Sequence, residues 1–426
     1  MRANELLSAL HQGEFDETLR SVYGTQALPV IYGRIESVVE GFCARFDPER
    51  RRALCVFSAP GRTELGGNHT DHQNGCALAG SVNMDTLACV AERNDPVIRV
   101  VSRGHDPAEI DISDYAIRES ERSRSQALLR GTAARMEQLG CHIGGFDAYT
   151  ETSVLRGSGL SSSAAFEILI GQIMNQLFCG ARFGANDLAK IAQYAENVYY
   201  GKPCGLLDAL ACASGGVIAV DLADPAEPVV ERCAVDVAKA GYALVVIDSG
   251  ANHSDLDDEF AAIPREMCAV AQRLGGTVLR DVDESAFIAQ RAELERALGT
   301  RPVLRAEHYF QETKRAREQY AALQRGDFAT YLALVRASGE SSEALLQNVR
   351  VDRPGGDRLL QVIHRARKLA GETGAARVHG GGFAGTAQAY VPLGMLDGFV
   401  TAMEADLGRG RCHIVQIRNV GSLRLI

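Results

Sequence analysis

The chain predicts an α+β protein built from two mixed α/β domains, and three observations carry that expectation. Its 426 residues exceed what one hydrophobic core of ordinary size holds. A hydrophobic content of 46%, with 43 glycines and both charge signs, is that of a compact soluble protein. Stripes of apolar residues at helical spacing and short apolar runs of strand type occur in both halves.

Residues 1–52 read mostly as helix, because Ile31, Ile35, Val38, Val39 and Phe42 recur at helical spacing. LCVFS (54–58) then reads as a strand stopped by Pro60 and Gly61, and residues 77–92 fit a strand pair. Residues 161–179 predict a strong helix, with Ala165, Ile168, Leu169, Ile173 and Leu177 on one stripe. A second helix is expected over 187–200, and a strand over 215–222. The acidic, proline-bearing ADPAEP that follows reads as a linker, and YALVVIDSG (242–250) opens a second set of elements. The expected domains are therefore 1–222 and 223–426.

Net charge is -9, and no basic run stands out beyond Arg50 to Arg52, which argues against nucleic acid as the main ligand. The N-terminus turns polar by His11, unlike a secretory segment, and no apolar run is long enough to span a bilayer. Eleven cysteines lie scattered without metal spacing, as small buried hydrophobes of a reducing cytosol would. A cytoplasmic location is expected, with no nucleic-acid or membrane partner, as a monomer or weak homo-oligomer.

Four stretches carry chemistry. GRTELGGNHTDHQNG (61–75) holds four glycines, two histidines, two acids and an arginine, with Leu65 as its one sizeable apolar side chain. It reads as a binding loop. LRGSGLSSSAA (155–165) sets Gly157 and Gly159 before three serines that open a helix, and free amides at such an end suit phosphate. A plain N-cap is the alternative. VHGGGFAGTA (378–387) suggests backbone that approaches something closely, or a packed turn. In PCGLLDALACASGG, Asp208 is an isolated charge in small, apolar surroundings, costly unless paired or employed; a helix-surface aspartate is the plainer reading.

Together these stretches resemble one family. GRTELGGNHTDH, GSGLSSSAA, PCGLLDA and HGGGFAG occur in the order and at the spacing of the galactokinases, within the GHMP small-molecule kinases. The resemblance runs from about Ser58 to the C-terminus and leaves out the first 50 or so residues. It implies the two-domain GHMP kinase fold with a cleft active site, and ATP, Mg²⁺ and a small sugar as ligands. Gly157, Ser158, Gly159, Leu160 and Ser161 to Ser163 would wrap the ATP phosphates, with Ser162 or Ser163 helping to hold Mg²⁺. Asp208 would take the proton of the anomeric hydroxyl, and Arg62 would steady developing charge. Asn68, His69, Asp71, Gly205 and Phe260 would line the sugar.

The chain departs from the family pattern GRVNLIGEHTDY at Thr63, Glu64, Gly66, Asn68 and His72. Ala209 follows Asp208 where the family has glutamine, Phe260 stands where it has tyrosine, and Ala384 replaces a glycine. The family glutamate that faces the sugar's C6 hydroxyl falls on Asn68, so these departures are expected in the sugar site. An amide there accepts a hydroxyl and removes a charge that would repel a carboxylate. Plant galacturonate kinases likewise carry a neutral residue there. Galactose is thus the first expected substrate, galacturonate or another C6 variant the alternative. Outside the kinases, a non-catalytic sugar sensor and a hydrolase metal cluster at His69, Asp71 and His72 are the competing readings.

Overall fold

The structure is a computed structural model that describes residues 1–24, 27–154, 159–202, 204–251 and 256–426. Gly157 and Ser158 of the expected phosphate loop lie outside the described residues.

Three N-terminal helices come first: α1 (Ala3–His11), α2 (Asp16–Tyr23) and α3 (Leu28–Phe46). A first sheet follows from β1 (Cys55–Gly66), β2 (Cys76–Glu92), β3 (Val97–Ser102), β4 (Ala108–Asp111) and β5 (Phe146–Thr152). Helices α4 (Ser125–Gln138), α5 (Ser162–Phe178), α6 (Ala185–Tyr194) and α7 (Leu207–Ser214) pack on it. The hairpin β6 (Val217–Asp221) and β7 (Val229–Cys233) extends the sheet through β2. Beyond β8 (Tyr242–Asp248) come α8 (Asp257–Arg273), α9 (Glu284–Leu298), α10 (Thr300–Gln324), α11 (Phe328–Ser341) and α12 (Arg358–Ala370). The chain ends with β9 (Ala375–His379), β10 (Thr386–Pro392), α13 (Leu396–Leu407), β11 (Cys412–Val415) and β12 (Leu423–Arg424).

Among the described residues the first sheet has eight strands, with the path β12-β1-β2-β5-β3-β4. The second has four, ordered β11-β8-β10-β9. Both faces of β1 and β2 are covered. Phe57, Ala59, Ala88 and Val90 pack towards the α4–α7 side, whereas Val56, Leu87, Cys89 and Ala91 pack on α1, α2 and α3. Strands buried on both faces read as continuous apolar runs, which is why 77–92 carries so little alternation. Asp85 on β2 ties the layers together. Although burial favours its neutral form, Arg34 at 2.7 Å and Arg418 at 3.1 Å hold its carboxyl below the usual range.

Several expectations need correction. β1 does not stop at Ser58: it continues through Pro60 to Gly66, and a register shift between Pro60 and Arg62 absorbs the proline's missing donor. Residues 77–92 form one long strand rather than a pair, because β1, β5 and β6 pair along its length. ADPAEP is the loop of the β6–β7 hairpin, not a connector between domains. We treat 1–222 and 223–426 as proposed domains; strand pairing crosses that line twice, at β7 and β12. All eleven cysteines are free. No helix among the described residues is long and apolar enough to cross a membrane.

Candidate active site

The site forms where β1, the start of α5 and the start of α7 converge. Arg62 leaves the bulged part of β1 and meets Asp208, in the first turn of α7, with both forks of its guanidinium. Nε donates to Oδ1 at 2.7 Å and Nη2 to Oδ2 at 2.6 Å. Ser161, at φ 53° before α5, donates its hydroxyl to Asp208 Oδ2 at 2.5 Å. Arg62 also donates through Nη1 to the Gly159 carbonyl. Burial alone would raise the Asp208 pKa, but Arg62 and Ser161 outweigh it and hold the carboxyl below its ordinary value. The side chain still presents 42% of its surface, so the carboxylate is both ionised and reachable. The segment before α5 comes this close because position 61 is glycine: a Cβ there would sit 2.7 Å from the Leu160 carbonyl.

Asp208 lines a cavity of about 150 Å³ with Asp71, Ser163, Glu167, Glu196, Lys202 and Gly205. Gly205 faces Asp71 so closely that a Cβ would lie 3.2 Å from its carboxylate. A larger cavity of about 640 Å³ adjoins, sharing Ser163, Glu167, Glu196 and Lys202, and Ser162, Phe166, Arg103 and Arg124 also line it. Arg62, Asp208, Asp71, Gly205, Ser162 and Ser163 thus lie together at the two adjoining cavities.

Other expected residues are placed differently. Asn68 is fully buried, its amide spent on the protein itself. Its nitrogen donates to Glu64 at 3.0 Å and the Gly380 carbonyl at 2.7 Å, and its oxygen accepts from Asn348 at 2.8 Å. The expectation that it faces a C6 hydroxyl is corrected accordingly. The departures at Thr63, Glu64 and Asn68 belong to a polar seam with the second sheet, where Glu64 pairs with fully buried Arg377. His69 bonds the Gly381 carbonyl at 2.8 Å and is kept neutral by burial. Phe260 packs edge-on against Phe383, at 5.3 Å, in the apolar cluster of α8–α10, and does not line the smaller cavity. Leu160 is buried in the core, its carbonyl accepting from Arg62 N at 3.0 Å. Ser161 turns to Asp208 rather than outwards.

Glu167, Glu196 and Lys202 were not foreseen. Glu167 interrupts the apolar face of α5, and burial with Glu196 alongside raises its pKa to about 9. Glu196 sits in a π turn (Ala195–Tyr200) continuing α6, an irregularity frequent at functional sites. The charge in an apolar stripe was the available signal for Glu167. Among the described residues no group of three or more histidine, cysteine or acid side chains could hold a metal unaided. Ser163 and two crowded carboxylates do fit Mg²⁺, which keeps few protein ligands and completes its shell with phosphate and water.

Comparison with known proteins places this fold. The GHMP kinases N-terminal domain matches residues 127–216, and the galactokinase galactose-binding signature matches 40–92. Lactococcus lactis galactokinase complexed with galactose is similar at 24% identity and TM-score 0.78, over 92% of this chain and 100% of that one. L. major mevalonate kinase in complex with R-mevalonate follows at 17% identity and TM-score 0.59, covering 87% of this chain and 97% of that one. A D-glycero-D-manno-heptose 1-phosphate kinase from Bacteriodes thetaiotaomicron has 15% identity and TM-score 0.58, covering 87% and 98%. The chain therefore has the GHMP kinase fold, and it carries both the N-terminal domain of the GHMP kinases and the galactokinase galactose-binding signature.

Proposed function

We propose that this protein is an ATP- and Mg²⁺-dependent kinase that phosphorylates the anomeric hydroxyl of a small sugar, with galactose as first candidate. The observation that carries this reading is the Arg62–Asp208–Ser161 constellation opening onto a cavity that adjoins a second, larger one. Phosphoryl transfer needs little covalent chemistry from a protein; it needs position, charge stabilisation and one acceptor for the hydroxyl proton. Asp208 is that acceptor, held ionised by Arg62. Asp71 and Gly205 orient the sugar beside it, and Ser162 and Ser163 at the start of α5 meet the phosphates. The larger cavity suits the nucleotide, with Arg103, Arg124 and Lys202 as cations on its wall. Mg²⁺, when bound with ATP, would neutralise phosphate charge, held by Ser163 and the Glu196 carboxylate; Glu167, protonated at neutral pH before the cation binds, would join them only by giving up its proton.

Galacturonate is the second reading. Asn68 is uncharged and turned into the protein, so a C6 carboxylate meets no opposing charge from that position. An ATP-consumption assay over C6-variant sugars, with the product's phosphate located by phosphorus NMR, tests both. Phosphorylation at another hydroxyl would overturn the anomeric assignment. Sugar binding with no turnover on any sugar would leave a non-catalytic sensor in its place.

A further inference from the structure

Behind Arg62 runs a second polar chain that the reaction chemistry does not use. Thr63, fully buried, has its hydroxyl 2.9 Å from His379 Nε2 and accepts from Gln388 Nε2 at 2.7 Å. His379 Nδ1 lies 2.9 Å from the Thr386 hydroxyl. His379 and Thr386 are opposed across β9 and β10, as are Arg377 and Gln388, so all four share the sheet face that meets β1. A hydroxyl has one proton to give, so Thr63 can accept from Gln388 and donate to Nε2, leaving the Nδ1 proton for Thr386.

The chain reaches the phosphate loop by contact. Gly159 has a φ of 72°, and a Cβ there would lie 2.9 Å from His379 Nδ1 and 3.0 Å from the Thr386 hydroxyl. The loop backbone thus rests on the His379–Thr386 pair, while the Gly159 carbonyl takes Arg62 Nη1. Arg62 and Thr63 are adjacent on β1, which closes a circuit from the reactive carboxylate through the loop to the second sheet and back. We propose that His379 is a positioning residue: bridging Thr63 and Thr386, it sets the height of the Gly159 backbone against Arg62 and so governs nucleotide binding rather than sugar binding. This rests on the kinase reading above. A flat two-ended ring spans the gap between the two hydroxyls, which alanine cannot do.

Steady-state kinetics with MgATP and sugar varied separately, alongside calorimetric MgATP binding, test it on Thr63→Val, Thr63→Ser, His379→Ala and the His379→Ala/Thr63→Val double variant. The expected result is a rise of roughly fivefold or more in KM for MgATP in Thr63→Val and His379→Ala, with KM for sugar within about twofold, the scale of one lost buried hydrogen bond. Thr63→Ser restores the wild-type value, and the double variant is no worse than the poorer single one, because both break one chain. Equal rises in both KM values, a rise for sugar alone, or additive losses would overturn the proposal. If His379→Ala does not fold, the Thr63→Val and Thr63→Ser pair decides. Wild-type protein that binds no MgATP would sink the kinase reading and this inference with it; wild type that binds and Thr63→Val that binds equally well would sink the inference alone.

Discussion

The guanidinium of Arg62 grips both carboxylate oxygens of Asp208, at 2.7 and 2.6 Å, while Ser161 approaches the same carboxylate from the start of α5. A fork-to-fork pair of this kind fixes orientation as well as charge, so in the proposed function Asp208 is aimed as proton acceptor before any ligand arrives. Asp208→Asn should keep the fold and lower turnover by roughly 100-fold or more, the scale of general base catalysis. Arg62→Lys should also lose activity, because a lysine cannot make both contacts. Near-normal turnover in folded Asp208→Asn, with melting temperature as the control, would remove the base role.

The same pair determines one feature of the pH profile. The carboxyl is held below its ordinary value, so it stays ionised through the acid side of neutrality. Turnover should therefore show no acid limb from Asp208 above about pH 5. A limb near pH 6 that disappears in Asp208→Asn would contradict the geometry.

Asn68→Glu should act on stability rather than on sugar choice. The amide nitrogen that now donates to Glu64 and the Gly380 carbonyl would become a carboxylate oxygen facing two acceptors in the interior. An uncompensated buried charge of this kind costs about 3 kcal/mol or more. Thermal unfolding should show a clear loss of melting temperature. A variant as stable as wild type with an altered galactose to galacturonate ratio would mean that residue 68 faces the sugar after all.

Two buried histidines, His72 within the loop of residues 61–75 and His308 behind it, should make the protein acid-sensitive. Burial lowers the pKa of His72 and of His308 to about 4 from an ordinary 6.5. In the unfolded chain they take up protons from about pH 6.5 downwards, whereas in the folded protein they do not until about pH 4. Stability should fall across that window, and denaturant midpoints between pH 7 and 4.5 measure it. His308→Gln should flatten part of the slope; an unchanged slope would remove His308 as a cause.

Glu167 should have the opposite dependence. Its folded pKa of about 9 lies well above the ordinary 4.5, so its contribution is intact below about pH 4.5 and is lost as pH rises towards 9. Glu167→Gln, which imitates the protonated acid, should become more stable than wild type as pH increases over this range. A stability difference that is constant with pH would show that Glu167 is ionised throughout.

What the sequence determined by itself was the local and the linear. Glycines before a serine-opened helix, the lone aspartate of PCGLLDA and the loop from Gly61 to Gly75 carried the family resemblance, and the resemblance implied that Arg62 and Asp208 serve one site. The stripe from Ile31 to Phe42 identified α3, since helical spacing is a property of neighbours. The tertiary structure decided everything that depends on which partner arrives. The residues from Gly61 to Gly75 look equally available for a sugar, yet Glu64 and Asn68 are drawn to Arg377, Gly380 and Asn348, some 280 to 313 residues away in sequence. Glu167 breaks an apolar stripe already in the sequence, but Glu196, Lys202 and Asp208 meet it around one cavity only in the fold. A polar side chain goes to whichever donor or acceptor removes most of its desolvation cost, and for a buried residue that partner is supplied by the fold.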